Sequence, residues 1–281
     1  MDREEHSPDG AEVTDHDISV LLQTVLDEYG YDFRHYARTH IKRRIRRFLG
    51  QFKGAELSEL QKHIRTDRDL FLEFLMDMTV HTTELFRNPE FYYEFRTKVV
   101  PILRTYPSFK IWHAGCSTGE EVYSMAILLR EEKIYEKARI YATDLSPLVV
   151  RRAREGIFRL GDMKGYTRNY HAAGGVGSLS DYYTSGYDGA VMDKSLGQRI
   201  VFSTHNLVSD ASFGEMHVIV CRNVLIYFDR TLQDRVIRLF HDSLIMRGFL
   251  CLGDKETTRI SDCKDLFDDF AYTHKIFRRR E

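Results

Sequence analysis

The stretch Ile111-Trp112-His113-Ala114-Gly115-Cys116-Ser117-Thr118-Gly119-Glu120-Glu121 constrains the fold of this chain more than any other. An apolar run that reads as a strand passes into a loop of small residues, and a helix is predicted from Glu120. Strand, glycine loop and helix in that order form the ligand-binding turn of a doubly wound α/β domain. There, glycines let a ligand approach the backbone with no Cβ in the way. The spacing is neither GxGxxG nor GxxxxGK, so pyrophosphate is not the implied guest.

From Phe109 onward, apolar runs alternate with helical patterns, the signature of a mostly parallel sheet. Strands are predicted at Phe109–His113, Arg139–Thr143, Ile200–Ser203, His217–Cys221 and Phe249–Leu252. Helices fall at 120–132, 146–155 and 230–246, and a closing antiparallel pair at 258–261 and 271–278. Residues 157–199 break the alternation. They are rich in Gly, Tyr, Ser and Asp, and are too long for a structureless loop. They predict an inserted β-rich subdomain that serves as a partner-binding appendage.

The first part of the chain reads differently. Thr14 and Asp17 make a capping box, apolar residues follow at helical spacing, and Gly30 sits where a helix ends, so a helix is predicted over 14–29. Further helices are predicted at 31–52, 57–66 and 69–78, with Phe33, Tyr36, Ile41, Ile45 and Phe48 as one buried stripe. With no strand pattern before residue 90, the expected domains are a tail at 1–13, a helical domain at 14–90, a linker helix at 91–108 and an α/β domain at 109–281.

Composition narrows the class. At 43% hydrophobic and 30% charged the chain can bury a core. A net charge of −1 argues against a generally nucleic-acid-binding surface. The four cysteines show no metal-binding spacing, so no metal is expected. They read as thiols of a reducing cytoplasm. No apolar run reaches about 18 residues, and the acidic, polar start is unlike a secretory leader. A cytoplasmic protein with no membrane insertion and a disordered tail is therefore expected.

Four features occupy the carboxyl ends of predicted strands, where open parallel sheets bind ligands. They are the Gly115–Gly119 loop, Asp144 in YATDLS, Asn206-Leu207 after VFSTH, and Cys221-Arg222-Asn223-Val224-Leu225-Ile226-Tyr227 after HVIV. Three of them have a plainer structural use: the loop as a tight turn, Asp144 as a helix cap, and Arg222-Asn223 as a pair satisfying backbone groups. Together the glycine loop and Asp144, placed to accept ribose hydroxyls, favour a nucleoside with an amino-acid tail, S-adenosylmethionine. The RNVLIYF run lacks the proline tetrad common in enzymes that methylate base or amide nitrogen.

With Thr82-Thr83-Glu84-Leu85-Phe86-Arg87 added, the chain resembles the CheR-type chemotaxis receptor methyltransferases. TTELFRNP, IWHAGCSTGEEVYSMA, YATDLS, AREGIF, FSTHNL and CRNVLIYFDRTLQ run in family order from about residue 18 to 278. The resemblance implies an α/β fold: a Rossmann-like S-adenosylmethionine methyltransferase domain, preceded by a small all-helical domain and carrying the inserted β-rich subdomain. It implies transfer of a methyl group from S-adenosylmethionine to glutamate side chains on chemoreceptor cytoplasmic helices, with S-adenosylhomocysteine as product. It further implies that Thr83 and Arg87 lie over the cofactor, Arg87 near its carboxylate. Glu121 and the Gly115–Gly119 loop would hold the methionyl amine, Asp144 the ribose, and Asn206 and Leu207 the adenine. Arg222 and Asn223 would line the methyl-transfer end, with Tyr227 beside the substrate carboxylate as a positioning group. His81 stands where relatives often carry a cofactor-contacting Asn, and Gly253-Asp254-Lys255-Glu256 replaces a more usual G-x-S-E. Some relatives grip a receptor C-terminal peptide through the inserted subdomain.

The helix over 31–52 is basic. Arg34, Arg38, Lys42, Arg43, Arg44, Arg46 and Arg47 form either a solvated face, a docking surface for an acidic partner, or a nucleic-acid surface. The family uses this helix for substrate contact, which would assign Arg38, Arg43, Arg44 and Arg47 to the receptor. Two other functions remain open on the sequence: an RNA methyltransferase, or a non-catalytic sensor or scaffold that binds the cofactor.

Overall fold

In the computed structural model, which describes residues 14–51, 57–80, 82–186, 189–258 and 262–280, the chain divides between Thr79 and Val80 into two units. The expectations for residues 1–13 and for His81 lie outside the described residues.

The first unit holds α1 (Asp15–Tyr29), α2 (Arg38–Gln51), α3 (Leu57–Thr66) and α4 (Arg68–Met78). At the start of α1 the Asp17 N–H donates to Thr14 Oγ1 at 3.2 Å, and the Thr14 N–H donates to an Asp17 carboxylate oxygen at 3.1 Å. Gly30 closes the helix in the left-handed region. The apolar stripe of α1, Ile18, Leu21, Leu22 and Val25, is buried, as are Ile41, Ile45 and Phe48 of α2. Tyr29 stacks on Phe71, and Phe48 meets Phe74 edge-on. Of the stripe predicted for the basic segment, Phe33 is buried and Tyr36 is half-buried. Helix α2 begins later than expected. The Asp32 carboxylate accepts the Arg34 N–H at 3.0 Å and its side chain as well, a local turn that competes with helix.

The second unit opens with the Val80–Asn88 segment, which the sequence reading assigned to the helical domain. Leu85 and Phe86 are fully buried in the core of this unit, and the Phe86 N–H donates to Ser124 Oγ at 2.8 Å. A helical stretch follows: α5 (Pro89–Glu94), a π-helical turn (Phe95–Val99) and α6 (Val100–Leu103), which ends short of residue 108.

The main sheet is built from β1 (Phe109–Ala114), β2 (Ala138–Asp144), β6 (Ile200–Thr204), β7 (Met216–Cys221), β8 (Leu244–Leu252), β9 (Phe267–Ala271) and β10 (Ile276–Arg279). Their order is β6-β2-β1-β7-β8-β10-β9. Pairings from β6 to β8 are parallel, and those of β10 with β8 and β9 are antiparallel. Helices α7 (Glu120–Glu131), α8 (Pro147–Glu155) and α10 (Arg230–Ser243) connect the strands. This is the Rossmann-like arrangement with a mostly parallel sheet. Strands β1 and β7 are apolar and almost wholly buried, as strands covered on both faces must be.

Three expectations change. Helix α10 stops at Ser243 because β8 begins at Leu244, where Leu244-Ile245-Met246 continue into the strand. The antiparallel closure uses 267–271 and 276–279, and residues 259–261 lie outside the described residues. The insert does form a separate antiparallel sheet, of β3 (Ile157–Phe158), β5 (Gly189–Met192) and β4 (Tyr183–Gly186). It also contains a helix, α9 (Met163–Ala172), that the β-rich reading missed. Met163, Tyr166 and Tyr170 fall on one face of α9 and are buried.

Thr14→Ala removes one half of the α1 capping box. We expect the helical unit to lose about 1 kcal/mol of unfolding free energy, read by native-state hydrogen exchange of the α1 amides. Unchanged protection would show that the cap does not hold this helix.

Candidate active site

Strand order reverses between β1 and β7, so the loops leaving their carboxyl ends open away from each other and leave a crevice. The β1 loop is pinned to β2. The N–H groups of Gly115 and Cys116 both donate to the Thr143 carbonyl at 2.8 Å. The Ser117 N–H donates to Asp144 Oδ2 at 2.9 Å. Gly119 adopts φ +100, and a Cβ there would lie 3.2 Å from the Ala153 backbone. Only glycine meets both demands, and it lets α7 start directly against α8.

Asp144 is buried and uses Oδ2 on the loop, while Oδ1 lies 3.3 Å from the Ser146 N–H. Its main-chain carbonyl accepts the His205 N–H, which joins the β2 and β6 loops. Asn206 folds on its own turn. Its Oδ1 accepts the Val208 N–H at 3.0 Å, and its N–H donates to Asp210. Leu207 is half-buried beside it.

The centre of the site is Arg222, at the end of β7, whose side chain is 1% exposed. One guanidinium nitrogen, Nη1, lies 3.2 Å from Glu121 Oε2. The other, Nη2, donates to Asn88 Oδ1 at 2.8 Å and to the Arg87 carbonyl at 3.2 Å. The plane sits 4.3 Å from the centre of the Phe91 ring. His113 Nδ1 lies 2.9 Å from Glu121 Oε1. Burial raises the Glu121 carboxyl, but the His113 hydrogen bond and the Arg222 charge outweigh it and hold the group below the ordinary glutamate range. Glu121 is thus a fixed anion.

Its neighbour Glu120 behaves oppositely. Burial pushes its carboxyl up to about 7, against the Thr118 hydroxyl that donates to it at 2.6 Å, and Asp162 adds repulsion.

Arg87 is half-buried, with Nη1 donating to the Thr82 carbonyl at 3.0 Å, and Thr83 is half-buried on the same segment. Asn223 takes φ +61, and Tyr227 is half-buried on the short turn Leu225–Tyr227 that follows. Hydrogen bonds therefore link Glu121 and Arg87 through Arg222, while Gly115 is tied to Thr143, Asp144 to Ser117 and Asn223 to Glu256. Thr83, Asn206, Leu207 and Tyr227 lie on the same segments.

The basic residues Arg38, Arg43, Arg44 and Arg47 belong to the helical unit. There Arg47 pairs with Asp77 at 3.3 Å, and Arg43 reaches His40. Among the described residues no cluster of His, Cys, Asp or Glu could hold a metal, and no helix is long and apolar enough to cross a membrane.

Sequence reasoning missed His113, Asn88, Asp254 and Glu256. Asn88 bridges Arg222 and Asp254, its Nδ2 lying 2.8 Å from Asp254 Oδ2. The Glu256 carboxylate accepts N–H groups from Gly253, Asn223, Val224 and Ile226. Asn88 lies in TTELFRNP and Glu256 in GDKE, but nothing in either stretch shows these partners.

A glycine loop followed by an acidic residue at the end of β2, with buried charge at the β7 end, defines the class of nucleoside-binding methyltransferases. The chain belongs to the CheR methyltransferase family. The all-alpha domain of that family matches residues 16–79, and its SAM-binding domain matches residues 81–276. The Pseudomonas putida protein Cher3 is 46% identical over 95% of this chain and 97% of its own length. The "Chemotaxis protein methyltransferase" of Listeria innocua is 29% identical over 85% of this chain and 89% of its own. That of Salmonella typhimurium is 31% identical over 65% of this chain and 62% of its own. The cofactor is therefore S-adenosylmethionine. The residues present fit it, with the buried carboxylate Asp144 at the end of β2 and the anion Glu121 in the first turn of α7, beside the glycine loop.

The raised Glu120 carboxyl has a pH signature. The folded state favours its protonated form, so below the ordinary value of 4.5 burial carries no charge penalty. As pH rises from there through about 7, the folded state loses stability relative to the unfolded chain. Glu120→Gln should therefore gain melting temperature over the wild type across that window and hold a constant difference above it. A difference independent of pH would show that folding does not shift the Glu120 carboxyl from its ordinary range.

Proposed function

We propose that this protein methylates glutamate side-chain carboxylates on the cytoplasmic helices of chemoreceptors. The observation that carries the reading is the family match over both domains, with the Gly115–Gly119 loop, Asp144, Asn206 and Arg222 each at or just after the end of a parallel strand of one sheet. Relatives named chemotaxis protein methyltransferases support it.

The chemistry asks little of acid–base groups. A glutamate with a pKa of about 4.3 is already an anion at neutral pH. S-adenosylmethionine supplies a methyl group on an electrophilic sulfonium. The protein's task is to align the reacting atoms and to keep water from solvating the carboxylate. In this reading Asp144 holds the ribose, Glu121 the methionyl ammonium and Arg87 the methionyl carboxylate. Thr83, Asn206 and Leu207 complete the cofactor site. Arg222 and Asn223 shape the transfer end, and Tyr227 positions the incoming carboxylate. The arginines Arg38, Arg43, Arg44 and Arg47 on α2 would meet glutamate-rich receptor helices through charge complementarity.

Asp144→Ala should weaken S-adenosylhomocysteine binding by about 1–3 kcal/mol through lost hydrogen bonds, read by calorimetry. Unchanged affinity would remove Asp144 from the ribose site. The acceptor is tested by methyl transfer from radiolabelled cofactor to receptor cytoplasmic fragments of the same organism, followed by alkali. Label released as methanol is expected of a carboxyl methyl ester. Label that survives alkali, or that enters RNA instead, would overturn the reading.

A further inference from the structure

The turn Gly253-Asp254-Lys255-Glu256 follows β8 and has no role in the site as proposed so far. Its contacts are unusual. Glu256 is 4% exposed, and each of its carboxylate oxygens serves two backbone groups. Oε2 accepts the N–H of Asn223 at 3.0 Å and of Gly253 at 2.6 Å. Oε1 accepts the N–H of Val224 at 2.8 Å and of Ile226 at 3.4 Å. Three of these four donors lie in the loop that follows β7.

That loop is gripped from two sides. It contains no glycine, yet Asn223 is held at φ +61. From the other side, Gln233 Nε2 takes the carbonyls of Leu225 and Phe228, both at 3.0 Å, so side chains from β8's turn and from α10 grip the same short segment. The turn also presses directly on the loop. A Cβ on Gly253 would stand 2.8 Å from the Asn223 nitrogen and 2.8 Å from Glu256 Oε2. Through Asp254 the turn reaches the second cofactor-facing segment as well, since Asn88 joins Asp254 to Arg222.

We propose that Glu256 is a positioning residue whose carboxylate, by gathering the N–H groups of Asn223, Val224 and Ile226, sets the Arg222–Tyr227 loop in the shape that receives S-adenosylmethionine. The inference rests on the reading that Asn223 and its neighbours face the cofactor. Glutamine cannot replace it. A carboxamide offers one oxygen, and its NH₂ would point donor against donor at two of the four amides.

The test uses Glu256→Gln and Gly253→Ala in the full chain. The second variant keeps the carboxylate and intrudes on the loop, so it covers the case in which Glu256→Gln fails to fold. Three quantities are read: the thermal unfolding midpoint, hydrogen exchange of the 223–226 amides, and S-adenosylhomocysteine affinity by calorimetry. The expected result is a cooperative transition in at least one variant, faster exchange confined to the loop, and affinity weakened about tenfold, the effect of one mis-set hydrogen bond. Unchanged exchange, or freed amides with unchanged affinity, would overturn the proposal. An affinity loss matched by faster exchange across the whole sheet would overturn it too, because the role would then be structural. Product binding needs no acceptor. An error in the acceptor class appears in the wild-type transfer assay and leaves this result standing.

Discussion

The buried pair of Arg222 and Glu121 is the interaction on which the rest of the site depends. Taking both charges out of water is expensive, and their attraction repays it only when the remaining hydrogen-bond capacity is used. Here part of it is used, on several sides. His113 meets the second oxygen of Glu121, while Asn88 and the Arg87 carbonyl take the other guanidinium nitrogen. The ring of Phe91 lies close to the guanidinium. The pair thereby joins three pieces of chain far apart in sequence: the end of β7, the first turn of α7 and the Thr82–Asn88 segment. Breaking such a pair by removing one partner typically costs about 3–5 kcal/mol. The three segments are therefore held as one body.

A second regularity follows from the backbone. Four residues around the crevice hold left-handed φ without being glycine: Phe86, Asn88, Ser117 and Asn223. Such conformations cost roughly 1–2 kcal/mol each for most L-residues and persist only where neighbours enforce them. Every one of the four is tied to a buried polar side chain. The Phe86 N–H meets Ser124, Asn88 meets Arg222, the Ser117 N–H meets Asp144, and the Asn223 N–H meets Glu256. This gives a physical reason for polar groups that would otherwise be a burden in the interior. They supply the hydrogen bonds that keep strained loops in place.

What the sequence disclosed depended on whether a feature is local. The capping box at Thr14 and Asp17, the apolar runs of β1, β2 and β7, and the loop from Gly115 to Gly119 each carry their cause within a few residues, and each was legible. The start of α2 was misplaced because Asp32 offers the backbone a turn that hydrophobic spacing does not register. Helix α9 was missed because tyrosines and Gly165 obscure its period, although Met163, Tyr166 and Tyr170 do share one face. The reach of Glu256 could not be read at all. Its partners are main-chain N–H groups, which every residue but proline possesses, so no residue type at 223, 224 or 226 announces the contact.

The same geometry bears on how Glu121 could serve a cationic ligand while already paired. A carboxylate has about four lone-pair sites on its two oxygens. His113 takes one on Oε1 and Arg222 one on Oε2, which leaves capacity on both. Because those two partners hold the group ionised against burial, an arriving ammonium would meet a carboxylate that has no proton to lose and no rotamer to find. On the proposed reading, then, Arg222 and His113 do not compete with the methionyl amine. They have already met the cost of desolvating Glu121 and fixed its direction, so less of the cofactor's binding energy is consumed in ordering the site.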